Sequence, residues 1–205
     1  MTGSRPGSFA EAFLLAIDPD DLRRSSLRVL DVGTGTARIA IEICKRQNGI
    51  DITGVDRSVG ILRRARRGVA QAGLSDAIRI ERGDACSLSY AAGSFDAVIS
   101  NGLVHHVPDR RGVLCEMIRV LRPGGVLLVR DSLRQPDSAT IARILSRCAG
   151  GARGSRWSGS RSGFQAALTL DEARDLASSV GLPSEWVQQT GPRHWLLGGR
   201  RGFIN

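Results

Sequence analysis

The strongest constraint on this chain is an alternation. Five short, continuously apolar runs, Arg28–Val32, Ile50–Asp56, Ala77–Arg82, Phe95–Asn101 and Gly125–Asp131, are spaced by amphipathic stretches near Thr36–Arg46, Ser58–Gly73 and Asp109–Leu121. Strands apolar on both faces cannot sit in a sheet that faces water on one side. Separated by helices, they predict βαβ units and a parallel sheet covered on both faces. The stretch Ser58–Gly73 shows the logic. Ile61, Leu62, Ala65, Val69 and Ala72 recur at helical spacing and face the sheet, whereas Arg63, Arg64, Arg66 and Arg67 fall mostly on the solvent side.

The flanks read less sharply. Ser8 and Glu11 form a capping box that predicts a helix over 8–17, and Asp18-Pro19-Asp20-Asp21 ends it. Past Asp131, Ser138–Ala149 reads as a helix and Gly150–Gly163, rich in Gly, Ser and Arg around Trp157, as a mobile loop. Thr169 caps a further helix through Gly181. Glu185–Thr190 and His194–Arg200, joined by Gly191-Pro192, form an antiparallel pair at the sheet edge. The length of 205 residues fits one domain over 1–205.

Composition narrows the classes. At 41% hydrophobic and 24% charged the chain is an ordinary globular protein, and its apolar runs are too short to span a bilayer. The first residues lack the pattern of a signal peptide, and Cys44, Cys86, Cys115 and Cys148 form no CxxC pair, so we expect a cytoplasmic setting. The net charge of +9 permits a nucleic-acid partner without favouring one, because Lys45 is the only lysine and the excess resides in arginine. Oligomeric state is not legible.

Ligands of open α/β sheets sit beyond the carboxyl ends of the strands. Here those ends read Asp31-Val32-Gly33-Thr34-Gly35-Thr36-Ala37, then Gly54-Val55-Asp56, then Gly83-Asp84-Ala85, then Ser100-Asn101-Gly102. A dinucleotide turn, G-x-G-x-x-G, would place a third glycine at position 38, which is Arg38. Asp31 would also repel a pyrophosphate at short range and suits a cationic ligand. Asp56 falls where a carboxylate can take both ribose hydroxyls, roughly 20 residues past the turn.

These strand ends, with Phe95-Asp96-Ala97-Val98-Ile99-Ser100 and Val120-Leu121-Arg122-Pro123-Gly124-Gly125, resemble the class I S-adenosylmethionine-dependent methyltransferases over about Leu27–Asp131. The resemblance implies an α/β, Rossmann-like doubly wound fold, with a seven-stranded, mostly parallel sheet and a C-terminal antiparallel hairpin. It implies S-adenosylmethionine as cofactor and S-adenosylhomocysteine as product. Asp31, Gly33, Thr34 and Gly35 would hold the methionine part and Asp56 the ribose. Arg57 would flank the adenine, which Asp84 and the Ala85 backbone would bind, and Asn101 would line the floor near the methyl. Ala37 replaces the usual third glycine, at a position read as needing only a small side chain.

The acceptor is bounded mainly by what is missing. Ser100-Asn101-Gly102-Leu103 is not the N/D-P-P-Y-like turn of amide and adenine methylation. No cysteine fits cytosine C5 chemistry, and Lys45 is on the first long helix, away from the strand ends. The segment from Asn101 to Gly125 resembles the small-molecule branch, including ubiquinone- and menaquinone-biosynthesis methyltransferases. Within it, His105 and His106 are candidate bases, or cap the loop before Pro108-Asp109. The acids that would make this a metal site are absent, so no metal is expected. Arg130 and Asp131 end the fifth strand within reach of an acceptor, with Arg130 equally readable as a surface charge. The segment 138–163 lies where the family often places a substrate lid, the alternatives being an RNA contact or a connector. An RNA or protein methyltransferase using the basic surface, and a non-catalytic S-adenosylmethionine-binding module, are the alternative readings.

Overall fold

In a computed structural model, residues 8–23, 26–135 and 166–202 are described. The predicted helix and loop of 138–163 therefore lie outside the described residues. The chain runs α1 (Phe9–Ala16), α2 (Pro19–Arg23), β1 (Leu27–Val32), α3 (Arg38–Arg46), β2 (Ile50–Asp56), α4 (Val59–Gln71), β3 (Ile78–Arg82) and β4 (Phe95–Asn101). It continues through α5 (Arg110–Val120), β5 (Leu121–Ser132), α6 (Leu170–Ser179), β6 (Val187–Gln189) and β7 (His194–Arg200). The strands form one seven-stranded sheet in the order β3-β2-β1-β4-β5-β7-β6. The first five pair in parallel, and β7 inserts antiparallel between β5 and β6.

Two apolar layers cover the sheet. On one face Val29, Ile52, Ala97, Ile99 and Leu128 meet Phe9 and Phe13 of α1, Ala40 and Ile43 of α3, and Ala65 and Val69 of α4. On the other, Leu30, Val98, Leu127 and Val129 meet Val113 and Met117 of α5, Ala173 and Ala177 of α6, and Trp195. Successive strand residues alternate between these layers, which is why the runs read as apolar throughout. On α4, Leu62, Ala65 and Val69 are buried and all four arginines are exposed, as the spacing predicts.

Some expectations need correction. Asp18-Pro19-Asp20-Asp21 does more than end α1: it starts α2, with Pro19 in the first position and Asp20 and Asp21 in the first turn, where both residue types are favoured. β5 begins at Leu121, not Gly125, because Leu121 already pairs with Phe95 before the register shifts. The shift explains the glycines. Gly124 has φ +75°, and a Cβ on Gly125 would lie 2.7 Å from the Asp96 carbonyl oxygen. The run Glu185–Thr190 divides into a 3-10 turn, Ser184–Trp186, and the three residues of β6. No helix among the described residues is long and apolar enough to cross a membrane.

A candidate nucleoside site at the strand ends

β1 ends in a buried carboxylate. Asp31 is 2% exposed and accepts a hydrogen bond from the Thr34 hydroxyl at 2.7 Å. Burial pushes its pKa up to about 6, the Thr34 bond opposes that, and Asp56 adds to it. The turn after it is pinned from β2: the backbone N–H groups of Gly33 and Thr34 donate to the Val55 carbonyl at 2.8 and 3.0 Å. Asp56 extends the same clamp, accepting from Gly35 N at 3.1 Å and from Ser58 N at 2.9 Å.

Gly33, Gly35 and Ala37 all have positive φ, at +73°, +57° and +58°. Ala37 therefore corrects the reading of a merely small position. It is the N-cap of α3 in the left-handed region, where a Cβ is strained, and its methyl is fully buried.

Beyond this turn lies a cavity of about 270 Å³ lined by Gly33, Val55, Asp56, Arg57, Gly83, Asp84, Ala85, Leu103 and Val107, among others. Five of the predicted cofactor residues, Gly33, Asp56, Arg57, Asp84 and Ala85, thus share one space. Asp31, Thr34 and Gly35 form the turn behind it, and Asn101, His105 and His106 stand at the neighbouring ends of β4 and β5 instead. Glycine keeps the space open: a Cβ on Gly83 would come within 2.7 Å of Val55, and one on Gly33 within 3.0 Å of Leu103. The Asp84 carboxylate folds back to its own loop, accepting from Cys86 N at 2.9 Å. The volume sits just below the ~300–1,000 Å³ of sites that enclose whole drug-sized ligands. It suits a nucleoside half, with the rest of the molecule crossing the turn. A larger cleft of about 640 Å³, lined by Arg28, Asp51, Thr53, Asp76, Arg79 and Glu81 among others, reaches the amino ends of the strands. It is away from the positions where sheets of this kind bind ligands.

At the ends of β4 and β5 the side chains interlock. Asn101 Oδ1 accepts from Arg130 Nε at 2.8 Å. Asp131, 1% exposed, accepts from the His105 backbone N–H at 3.3 Å and is hydrogen-bonded to His105 Nδ1. The His106 ring lies 3.9 Å from that of His105, centroid to centroid. Burial, and then His105, lower the His106 pKa, so that ring is neutral at neutral pH. The following helix, α5, is capped by Asp109, whose carboxylate accepts from Gly112 N at 2.8 Å. The pairing of Asp131 with His105, 26 residues apart, is not visible in the sequence. Its one signal is an acid beside Arg130 at the end of the apolar run Val126–Val129.

Fold and site together define a Rossmann-like domain with a cavity beyond the carboxyl ends of β1, β2 and β3. Residues 30–129 match a family model described as "Methyltransferase domain". The chain is 33% identical over 162 residues to 27-O-demethylrifamycin SV methyltransferase of Amycolatopsis mediterranei, covering 79% of this chain and 56% of that protein. It is 43% identical over 110 residues to a demethylmenaquinone methyltransferase of Deinococcus radiodurans, covering 54% of this chain and 45% of that one. A solved S-adenosylmethionine-dependent methyltransferase of Aquifex aeolicus superposes with TM-score 0.64 at 14% identity, over 94% of this chain and 98% of that one, which shows the shared fold. Over residues 30–129 the chain is similar to methyltransferase domains, and both curated relatives are methyltransferases. It spans about half the length of these two curated relatives.

Proposed function

We propose that the chain transfers a methyl group from S-adenosylmethionine to a small-molecule acceptor, leaving S-adenosylhomocysteine. One observation carries the cofactor assignment: Gly33, Asp56, Arg57, Asp84 and Ala85, read from three separate strand ends, line a single cavity. Asp56 would take the ribose hydroxyls, and Asp84 and the Ala85 N–H the adenine. Asp31, held by Thr34, would face the ammonium of the amino-acid tail. Two carboxylates and no lysine at the turn fit a cationic nucleoside and oppose a pyrophosphate. When bound, this cofactor supplies an already activated methyl on a sulfonium sulfur, so the protein's work is positioning and, for an acidic acceptor, a base.

His105 is the residue we assign as that base. Its Nδ1 is tied to the buried Asp131 carboxylate, which fixes the ring and leaves Nε2 to accept a proton from the acceptor. His106, neutral and packed against it, positions the ring and is not our candidate base. The small-molecule class of acceptor is supported by the relatives, which are named for rifamycin and quinone methylation. A cytoplasmic setting fits the free thiols of Cys44, Cys86 and Cys115.

Calorimetric titration with S-adenosylmethionine and with NAD tests the assignment. Saturable binding of the first, weakened about 100-fold in Asp56→Ala of unchanged circular dichroism, is expected from loss of a paired charged hydrogen bond. Binding of NAD in its place would sink the reading. Labelled cofactor incubated with fractionated extract then reports whether the methyl reaches a metabolite, an RNA or a protein.

A further inference from the structure

Arg130 differs from several arginines packed around the sheet. Its neighbour Arg122 is ion-paired to Asp21 and Asp96, Arg134 to Glu172, and Arg200 to Asp21. Arg130 is half-buried at the end of β5, and among the described residues no carboxylate lies within ion-pair distance of it. It is nevertheless held firmly. Nε donates to Asn101 Oδ1 at 2.8 Å, and the guanidinium carbon lies 5.0 Å over the ring of Phe9, at the start of α1. That geometry uses one donor and one face of the group and leaves the terminal amino groups without a described protein acceptor.

The acid whose charge acts on it, Glu42 of α3, is already engaged: it accepts from the Ser8 hydroxyl at 2.8 Å and pairs with Arg46 at 2.9 Å. Burial pulls the Arg130 guanidinium below its ordinary range, and Glu42 offsets this only in part. On the facing strand, burial and then Arg130 push His194 down to about 4, so His194 brings no charge at neutral pH. A desolvated cation without a counter-ion is costly, and it is preorganised here by Asn101 and Phe9.

We propose that Arg130 is an anion receptor of the active site: its free amino groups take a carboxylate-type oxyanion carried by a ligand, as a planar guanidinium does in bidentate fashion. The inference rests on the methyltransferase reading and goes beyond it, naming a recognition group that no cofactor motif supplied. Two ligands can bring such a group. One is the amino-acid tail of the cofactor, since Arg130 and Asp31 stand on the same face of the sheet, on the side of α1 and α3. The other is the acceptor, since Arg130 directly precedes Asp131, the partner of His105.

Three probes separate these sources: S-adenosylhomocysteine, which carries the carboxylate; 5′-methylthioadenosine, the same nucleoside without it; and 4-hydroxybenzoate, added to protein saturated with S-adenosylhomocysteine. Each is titrated against wild type, Arg130→Gln and Arg130→Lys. If the cofactor tail is the anion, Arg130→Gln weakens S-adenosylhomocysteine about 10- to 100-fold and leaves 5′-methylthioadenosine unchanged, with partial recovery in Arg130→Lys. If the acceptor brings it, both nucleosides bind as before and the benzoate is lost.

Unchanged S-adenosylhomocysteine binding, with benzoate binding either absent in wild type or retained in Arg130→Gln, would overturn the proposal. Equal weakening of both nucleosides would overturn it too, because a loss blind to the carboxylate is structural. Failure of both nucleosides to bind wild type would instead defeat the methyl-transfer reading, and this inference with it.

Discussion

At the scale of single residues, Asp31 trades stability for binding. Its folded pKa of about 6 stands above the ordinary 3.8, so between those values the native state binds more protons than the unfolded one. This group's contribution to stability therefore falls as pH rises through that window, and above about pH 6 the full cost of the buried charge is present. Asp31→Asn can keep an acceptor for Thr34 while removing the charge. Without ligand at pH 7.5 it should raise the unfolding free energy, by up to about 3 kcal/mol from two pKa units, with the gain fading towards pH 4. Saturating S-adenosylmethionine should reverse the order, because only the wild type offers an anion to the ammonium. A lower Tm for ligand-free Asp31→Asn at pH 7.5 would contradict this account.

Ala37 belongs to the same scale. A side chain at φ +58° costs more as it branches at Cβ, so Ala37→Val should lose at least about 2 kcal/mol in urea unfolding. Ala37→Gly should stay within about 1 kcal/mol, strain relief offsetting the lost buried methyl. The sequence shows that a small residue stands here. Its backbone sign emerges only from the way the turn is bound to Val55.

Elements were legible where periodicity or capping is local. α4 shows its buried stripe and arginine face in the primary structure, and α6 announces itself through Thr169. In the structure the Thr169 hydroxyl accepts from Glu172 N at 3.2 Å while the Glu172 carboxylate accepts from Thr169 N at 2.9 Å, a closed capping box. Thr169→Ala should therefore cost about 1 kcal/mol by denaturant melt, whereas Asp171→Ala in the same turn, 87% exposed, should cost little. What was not legible depends on partners distant in sequence. The five residues of α2 carry no apolar period, so in sequence they look like a stop signal. They are fixed by Asp21 bonding Arg122 and Arg200, 101 and 179 residues away. The same holds for the active-site candidates: glycines and acids that serve a turn can be counted along the chain, but the bond from His105 to Asp131 and that from Arg130 to Asn101 exist only because β4 and β5 lie side by side.

For the molecule as a whole, the question is whether its positive charge serves the chemistry. The net +9 includes Arg63, Arg64 and Arg67, exposed on the outer side of α4. Arg63 and Arg67 are four residues apart and Arg64 and Arg67 three, so like charges crowd one helix face and cost a few tenths of a kcal/mol per pair. Arg66 is different, since it donates to the Ile80 carbonyl at 3.0 Å and should be left in place. If the acceptor is a small molecule, replacing Arg63, Arg64 and Arg67 together by Gln should leave S-adenosylmethionine affinity within a factor of about two. Among the described residues, the charged side chains lining the cavity are Asp56, Arg57, Asp84 and Asp109, and none of these changes. The Tm should hold or rise slightly as the repulsion is relieved. If instead the basic surface docks RNA, each lost phosphate contact lowers the salt slope of RNA retention by about 0.7–0.9. Label transfer to RNA would then collapse in the triple variant while cofactor binding persisted. Measuring both quantities on one preparation ties the global charge to a specific acceptor class, and label transfer to a metabolite fraction at wild-type rate is the outcome we expect.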